Sequence, residues 1–561
     1  MLTTVPLRPF HSAVERNMLM DCAREFRCLS APHGDGQTLV EPAYSALPKV
    51  VARNRERLAE AQYDVQGRTL RDLSDSARRS LLQFAFAYTS QYRDVPKRWH
   101  SYEALRGAPF ILSGHQPEMF HPGVWYKNFV LGGLARQMGG VGVHLLIDSD
   151  LCRGASIRVP TGAIDHPRVE AVPYDKPAPE VPYEERFIHD AATFSSFAER
   201  TTALLRPLVA NPLVASLWPL TVDRNPRQTN LGLRLAQGRH AFEQTWSNET
   251  LELPQSAVCQ LPEFAWFVAH LLANLPRFWS AHNDALALYR HAHRIRNRAQ
   301  PVPDLAEADG WLEAPFWIWT SEEPQRRPLF ARQSGNEVVI SDRHAHTISL
   351  PLTADGDPTA AAQQLAALSS RGIKLRTRAL TTTLFARLVL SDLFLHGIGG
   401  AKYDQVTDQI VRLFCGFEPP EFATVSATLR LPLDYETHDG TAAGQWEQRL
   451  RETRYHPEQF VDINGDGTNG AATVAAEIVA TKQRWLRTQK TTENARERHR
   501  AIAGANEMLQ PFVAPLRRQI ELERDDTRRR KRGEAILHSR EYSFCLYPRG
   551  HFDKLLADPR L

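Results

Sequence analysis

The chain of 561 residues lacks the features that mark secreted, membrane-spanning and zinc-binding proteins. Its six cysteines are scattered without Cys-x-x-Cys or Cys-x-x-His spacing, which predicts neither a disulfide framework nor a zinc site. No window approaches about 18 uncharged apolar residues, and the first residues contain no basic segment followed by an apolar one. These absences predict a soluble cytoplasmic protein.

A strong charge of either sign is also lacking. The 68 lysines and arginines nearly balance the 64 acidic residues, which leaves a formal net charge of +4. A charge so close to balance creates no long-range field that would favour nucleic acid or an acidic membrane. The basic run 528–532 lies beside Asp525 and Asp526, so we interpret it as a solvated helix face. We therefore expect neither nucleic acid nor membrane as a partner.

What the sequence does contain is a βαβ pattern over residues 108–150. A short apolar strand at 110–112 leads into a polar turn at 113–117, and a helix is predicted to begin near Gly123. A second apolar strand follows at 142–147 and ends in two carboxylates. Ligands of open α/β sheets bind at the carboxyl ends of such strands, because loop N–H groups and helix N-termini converge there. The pattern predicts a small-molecule or nucleotide site.

The length of the chain predicts several structural parts rather than one core. Prolines punctuate a helical stretch in the middle of the chain, and the region after residue 434 is charged and poor in aromatic residues. We predict a mixed helical segment 1–105 packing on the core, an α/β core 106–435 with a helical insertion near 220–298 and a β-hairpin near 316–341, a helical arm 436–538, and a C-terminal segment 539–561 that returns to the core.

His115 is the sharpest candidate for chemistry. It stands between Gly114, which lets a ligand approach the backbone, and Gln116. It could bind a phosphate or stabilise charge on a leaving group, or it could simply cap the turn through the backbone. Lys127, on the helix that follows, could reach a phosphate or carboxylate as a point charge, or it could be an ordinary solvated lysine.

Asp148 and Asp150 lie two residues apart at the end of the second strand. Their side chains point the same way if the extended backbone continues that far. They could then hold Mg²⁺ or a substrate amine. The alternative is a helix cap and a turn carboxylate.

A glycine-rich loop precedes a helix predicted over 405–414. Placed at a strand-to-helix junction, it could cradle a phosphate or stack an adenine, whereas the alternative is a tight turn only. Arg376 and Arg378 on the preceding segment would supply anion contacts. The loop residues are Gly397, Gly399, Gly400, Lys402 and Tyr403.

These segments, in their order and spacing, resemble those of a known family. The turn 113–117 followed by Tyr126-Lys127 resembles the Gly-Gln-Gln-Pro loop and Tyr-Lys pair of the cysteine-adding enzyme (cysteine ligase) of bacillithiol biosynthesis. The segment 148–150 resembles the family's acidic segment, and 397–403 resembles its glycine-rich loop. The resemblance covers roughly residues 100–561. The chain departs from the family pattern at His115, where the family has Gln, and its acidic segment keeps only the two aspartates.

The resemblance implies a Rossmann-like core akin to nucleotidyltransferases and class I aminoacyl-tRNA synthetases, a nucleotide-sized pocket, and a coiled-coil arm that forms a homodimer. We therefore expect a ligase or nucleotidyltransferase-like enzyme. It would bind an ATP- or ADP-like nucleotide, with Mg²⁺ as an option, and would join or activate a small carboxylate- or thiol-bearing substrate. The alternative is a non-catalytic Rossmann-like ligand-binding protein with a dimerising arm.

Two sets of residues make up the predicted site. The expected catalytic residues are His115, Gln116, Lys127, Asp148 and Asp150. The expected ligand-binding residues are Ser113, Gly114, His121, Tyr126, Arg376, Arg378, Gly397, Gly399, Gly400, Lys402 and Tyr403. No dedicated metal site is predicted beyond the optional pair of aspartates.

Overall fold

The computed structural model describes residues 26–27, 29–223, 225, 227–435, 442–461 and 470–556. The parts of the predicted N-terminal segment, arm and C-terminal segment that fall in the gaps lie outside the described residues. The described chain divides into two compact units. The larger takes in residues up to 159, 170–432 and from 540 onward, and the smaller takes in 160–169 and 433–539.

The strands follow one another along the chain as β1 (Gln37–Glu41), β2 (Phe110–His115), β3 (Val141–Leu146), β4 (Leu151–Cys152), β5 (Ser156–Thr161), β6 (Arg168–Pro173), β7 (Val181–Pro182), β8 (Leu251–Pro254), β9 (Glu307–Ala308), β10 (Trp311–Thr320), β11 (Arg327–Ser334), β12 (Glu337–Ser341), β13 (Thr347–Pro351), β14 (Ile373–Thr377), β15 (Leu393–His396) and β16 (Ala423–Thr428).

The α-helices are α1 (Leu47–Glu60), α2 (Leu70–Thr89), α3 (Pro122–Gln137), α4 (Ala191–Ser195), α5 (Phe197–Leu205), α6 (Val214–Asp223), α7 (Leu231–Glu243), α8 (Gln255–Val258), α9 (Pro262–Ala273), α10 (Leu275–Ala292), α11 (Thr359–Ala366), α12 (Ala379–Phe385), α13 (Ile398–Ile410), α14 (Ala442–Tyr455), α15 (Gly470–Arg487), α16 (Ala495–Leu537) and α17 (Arg549–Leu556). Short π-helical turns extend α12 over Ala386–Leu390 and α13 over Val411–Cys415.

The main sheet of the larger unit has six strands in the order β1-β16-β15-β2-β3-β8. The five strands from β16 to β8 are parallel, and β1 is added antiparallel at one edge. In chain order the parallel strands run 3-2-1-4-5 across the sheet. The protein is therefore of the mixed α/β class with a mostly parallel central sheet, as the sequence predicts.

Helix α3 connects β2 to β3 and begins where the sequence places it. Pro122 occupies its first turn, where the missing N–H costs nothing. The ring Nδ1 of His121 accepts a hydrogen bond from the Gly123 N–H at 3.1 Å and caps the helix. A Cβ on Gly132 would come within 1.9 Å of Asn248 Oδ1, so only glycine permits this close packing. Helix α3 therefore packs closely against the loop that precedes β8.

The C-terminal segment packs against α3. The Phe544 N–H donates to the Phe120 carbonyl at 2.9 Å, and the ring centroids of Phe544 and Trp125 lie 4.2 Å apart. Phe552 on α17 lies 4.4 Å from the same indole. Trp125 is fully buried in consequence. Aromatic contacts of this kind exceed the value of their buried area by about 0.5–1.5 kcal/mol each.

The second sheet is antiparallel, in the order β13-β12-β11-β10-β14, with β9 also paired to β10. Strands β11 and β12 form the predicted hairpin, and Gly335 at its tip has a φ of 62°. A left-handed conformation at this position favours glycine. The register of β10 shifts between Glu313 and Trp317.

The smaller unit is mainly helical. Helix α16, of 43 residues, packs against both α14 and α15. Its apolar contacts centre on Ala475, Val479 and Leu509. Among the helices in the described ranges of either unit, none is both long and apolar enough to cross a membrane.

Candidate functional site

The candidate site lies at the carboxyl edge of the main sheet, where β2 and β15 are neighbours. From β2 the chain continues to β3 on one side, and from β15 it continues to β16 on the other. In an open parallel sheet, a ligand crevice is expected at such a position. Leu395 pairs with Ser113, so His396 and Gly397 continue beside Gly114 and His115.

Ser113 is the first polar group of this edge. It is fully buried, and it pairs across the sheet with His144 on β3. The Ser113 Oγ lies 2.8 Å from the His144 Nδ1. The other ring nitrogen, Nε2, is buried and has no hydrogen-bond partner among the described residues. A buried histidine nitrogen without a partner is uncommon, because it has lost its hydration without replacement.

Lys127 is the second polar group. Its side chain projects from α3 and is 1% exposed, and its Nζ donates to the Gly114 carbonyl at 2.7 Å. Among the described residues no carboxylate lies within ion-pair distance of this amine. Burial, together with the nearby Arg239 charge, lowers the pKa of Lys127 to about 7. It is not the ordinary solvated lysine that the sequence also allowed.

His115 lies one residue beyond the carbonyl that Lys127 binds. Its Nδ1 lies 3.1 Å from the Gln116 carbonyl, and its ring packs edge-on against Phe120. Because a carbonyl can only accept, Nδ1 carries the proton in this contact and Nε2 presents a lone pair. Burial first, and the Lys127 charge second, lower the pKa of His115 to about 3. The imidazole is therefore neutral at physiological pH.

The other buried cation near this cluster is balanced. Arg239 donates to Glu243 Oε1 at 2.6 Å and also bonds Glu252. Glu243 is further held by the indole N–H of Trp125 at 2.8 Å and the Asn128 amide at 2.9 Å. Arg239 is thus an internal structural cation, whereas Lys127 has only a carbonyl.

The two aspartates after β3 diverge. The strand ends at Leu146 and the chain turns, so the extended geometry that would align their side chains does not persist. Asp148 accepts from the Ser256 N–H at 2.9 Å and from its hydroxyl. Asp150 accepts from the Gln116 amide at 2.9 Å and pairs with Arg326 at 3.1 Å. The condition under which the two side chains would point the same way is therefore not met.

The described residues of this edge do not form a ready-made cluster of metal ligands either. No group of three or more His, Cys, Asp or Glu side chains is placed to hold a metal ion within the residues that the structure describes. Burial and the neighbouring Glu184 raise the pKa of Asp148 to about 7. Glu184 in turn receives a bidentate pair from Arg376, both contacts at 2.9 Å. Arg376 is therefore committed to a carboxylate and does not supply the free anion contact that the sequence suggests.

The β15 end carries a second polar cluster. His396 lies 2.8 Å from Asp404 through its Nε2, and Arg387 donates to Asp404 at 2.7 Å and to Asp408 at 2.6 Å. Burial alone would raise the pKa of Asp404, but the Arg387 guanidinium and His396 hold it well below its usual range. Cations and carboxylates are paired throughout this cluster.

The predicted glycine-rich loop is shorter than expected. Helix α13 begins at Ile398, seven residues before the predicted start, because only Gly397 occupies the N-cap and the residues after it are helical. Its N-cap has no side chain to satisfy the first N–H groups. A Cβ on Gly397 or Gly399 would meet no described atom within 4 Å, whereas one on Gly400 would lie 2.8 Å from the His396 ring. The helix start is open at its first turn.

The remaining predicted residues divide into buried and exposed. Tyr126 is 1% exposed and packs in the core beside Lys127. Lys402 and Tyr403 are exposed on α13. Arg378 pairs with Glu313, and its guanidinium lies 4.0 Å from the Trp317 ring centre. His121 is used as a helix cap, and burial lowers its pKa.

The structure thus gathers Ser113, Gly114, His115 and Lys127 into one cluster, and links Gln116 to Asp150. It adds His144, His396 and Glu184, which the sequence did not single out. A usable signal existed for the first two, since each is a histidine in an otherwise apolar strand. Glu184 gives no such signal, because its partner Arg376 is distant in sequence.

Compared with known proteins, the chain matches no family model and no curated protein sequence.

Proposed function

We propose that the protein is an enzyme of the ligase or nucleotidyltransferase-like type. It binds a nucleotide-like ligand on a Rossmann-like sheet and joins or activates a small carboxylate- or thiol-bearing substrate, with the helical arm acting as a coiled-coil dimerisation element. The single observation that carries the proposal is Lys127, a buried amine without a described counter-ion at the carboxyl end of β2.

The strand order supports the position of the ligand. In a doubly wound sheet of order 3-2-1-4-5 the ligand crevice lies between the first and fourth strands, here β2 and β15. The open N-terminus of α13 borders the same crevice, and helix N-termini attract anions. A phosphate or carboxylate there would complete the hydrogen-bonding of a helix end that has none from its own cap.

The cluster around Lys127 supports an anionic ligand group. A bound anion would restore the charge of Lys127, whose pKa would rise towards its ordinary value, because an opposite charge favours the protonated amine. His115 would gain basicity in the same way. Its Nε2 lone pair could then take a proton from an attacking thiol or amine. The residues assigned to this chemistry are His115, Gln116 and Lys127.

The test is ligand-induced thermal stabilisation of the full-length protein by ATP, ADP, CTP and cysteine, with and without Mg²⁺. We expect a nucleotide to raise the Tm of the wild type, because a ligand that binds only the folded state stabilises it. The Lys127→Met variant should lose this shift. Lys49→Met, at an exposed position of α1, is the matched control and should keep it.

Two results would overturn the proposal. One is the absence of a shift with every nucleotide. The other is an equal shift in wild type and Lys127→Met, which would place the ligand elsewhere. A turnover assay with cysteine and small carboxylates then distinguishes an enzyme from a binding protein. If a nucleotide binds but is never consumed, the protein is not the proposed enzyme.

A further inference from the structure

The connection between α15 and α16 concentrates positive charge. Residues 484–500, here called the hairpin tip, contain six lysines or arginines and two glutamates, a formal excess of four. The whole chain, thirty-three times longer, has the same formal excess of four. The near neutrality of the complete sequence therefore hides one strongly basic segment. The cationic residues are Arg484, Arg487, Lys490, Arg496, Arg498 and Arg500.

Five of these six cations are exposed and have no ion-pair partner among the described residues. Arg498 is the exception, since its guanidinium donates to the carbonyls of Trp485, Leu486 and Thr488 at 3.0–3.3 Å and closes the end of α15. For the other five, no carboxylate lies within ion-pair distance in the described part of the chain. Isolated exposed cations of this kind keep their full charge available to a partner.

The basic run 528–532 on the same helix α16 behaves differently. Arg528 pairs with Glu447, and Arg529 and Arg530 pair with Asp526 at 3.0 and 2.6 Å. The more conspicuous run in the sequence is thus partly neutralised by carboxylates of its own unit. The hairpin tip therefore carries more uncompensated positive charge than the run 528–532.

The tip is also held in a defined shape. The Thr491 N–H donates to Asn494 Oδ1 at 2.8 Å, and the Asn494 N–H donates back to Thr491 Oγ1 at 3.3 Å. Asn494 additionally donates to the Gln489 carbonyl at 2.9 Å. Helix α16 starts at Ala495, so the positive end of its dipole lies at the tip as well. The cations are therefore carried by a turn whose shape is fixed by hydrogen bonds.

We propose that the hairpin tip binds the phosphate backbone of a nucleic acid. Four of the five free cations are arginines, whose planar fork pairs with phosphate in a bidentate manner. Trp485, half-buried between them, offers a ring on which an unpaired base can stack. The contact is independent of base sequence, since phosphate contacts position a protein without reading bases. The tip belongs to the smaller unit, whereas the proposed ligand crevice belongs to the larger unit.

The experiment measures fluorescence anisotropy of the full-length protein with a labelled 20-nucleotide single-stranded RNA and a 20-base-pair DNA duplex, from about 50 to 200 mM NaCl. The test variant carries Arg484→Gln, Arg487→Gln and Arg496→Gln. The matched control carries Arg528→Gln, Arg529→Gln and Arg530→Gln, which removes the same number of charges from paired positions. An unchanged Tm of each variant verifies folding.

We expect the tip variant to lose roughly tenfold or more in affinity and its salt slope to fall by about 2, since each neutralised phosphate contributes about 0.7–0.9. The control should stay close to wild type. Tighter binding of the RNA than of the duplex would identify the Trp485 stack, and equal binding would identify backbone contacts alone. The proposal is overturned if the wild type binds neither probe at 50 mM salt. It is equally overturned if both variants weaken alike.

Discussion

The two polar clusters at the switch between β2 and β15 lie on neighbouring strands and differ in charge balance. Side chains alternate between the faces of a sheet, and Leu395 pairs with Ser113, so His396 lies on the opposite face from Ser113 and His115. On the His396 face the buried Arg387 guanidinium pairs with Asp404 and with Asp408. On the other face Lys127 meets a single carbonyl. The charged groups of the two clusters are thus equally buried, but they differ in whether an opposite charge balances them.

The difference separates polar groups that compensate one another from a buried amine that has no counter-ion among the described residues. A buried ion pair with good geometry is strongly destabilised when one partner is removed, because the other charge is left without compensation. A buried amine without a counter-ion already bears that penalty in the free protein, and an anion would remove it. The β15 cluster should therefore respond to mutation through stability, and the β2 cluster through ligand binding and pH.

The largest expected effect comes from breaking the balanced cluster. Asp404→Asn keeps the shape of the side chain but removes the charge that faces Arg387 and His396. We expect the free energy of unfolding in urea to fall by about 3–5 kcal/mol. Asp355→Asn, at an exposed loop position, is the control and should change it by less than about 0.5 kcal/mol. Similar small changes in both variants would show that the cluster is not a source of stability.

The second effect concerns the unbalanced cluster and is a dependence on pH. The pKa of Lys127 is about 7 in the folded protein against 10.5 ordinarily. Between these values the unfolded chain binds more protons, so the free energy of unfolding rises with pH, by up to about 1.4 kcal/mol per unit.

Lys127→Met should remove that contribution, and urea unfolding at pH 7, 8 and 9 measures the slope. Lys49→Met should leave the wild-type slope unchanged. If the free energy of unfolding depends on pH identically in wild type and Lys127→Met, the amine stays charged throughout. The two clusters would then not differ as described.

The smallest expected effect concerns Ser113, which lies on the same face of the sheet as Lys127. Ser113→Ala removes the one described partner of the His144 ring and leaves both ring nitrogens unpaired. A loss of about 1–3 kcal/mol in the free energy of unfolding is expected, since this is the cost of an unsatisfied buried group. Ser370→Ala, at an exposed position, serves as control. No loss in Ser113→Ala would imply that water already serves His144.

Much of the fold could be predicted from short-range patterns. The β2-α3-β3 unit follows from apolar strands around a helix with Pro122 at its start, and the β11–β12 hairpin follows from Gly335-Asn336. These signals are local, so the sequence carries them directly. The same unit also leads the sequence to predict a candidate site at the β2 end.

The pairing of charges could not be predicted, because it depends on residues far apart in the chain. Arg376 meets Glu184, and Asp148 meets Ser256, through contacts that only the assembled sheet creates. The sequence predicts the start of α13 seven residues too late, because its glycines suggest a loop. In the structure Gly399 and Gly400 adopt a helical conformation. That Lys127 is buried also depends on how α3 packs against β2, which periodicity alone does not reveal.

The covering of Trp125 by Phe544 and Phe552 has a consequence for how the protein is made. The ribosome delivers the indole early in synthesis, whereas its aromatic cover emerges only after the whole helical arm has been translated. Until then the nascent chain exposes the outer surface of α3, next to the candidate site. Exposed apolar surface of this kind attracts chaperones and promotes aggregation. Messages truncated before residue 544 should therefore yield chains that a cell recognises as unfinished.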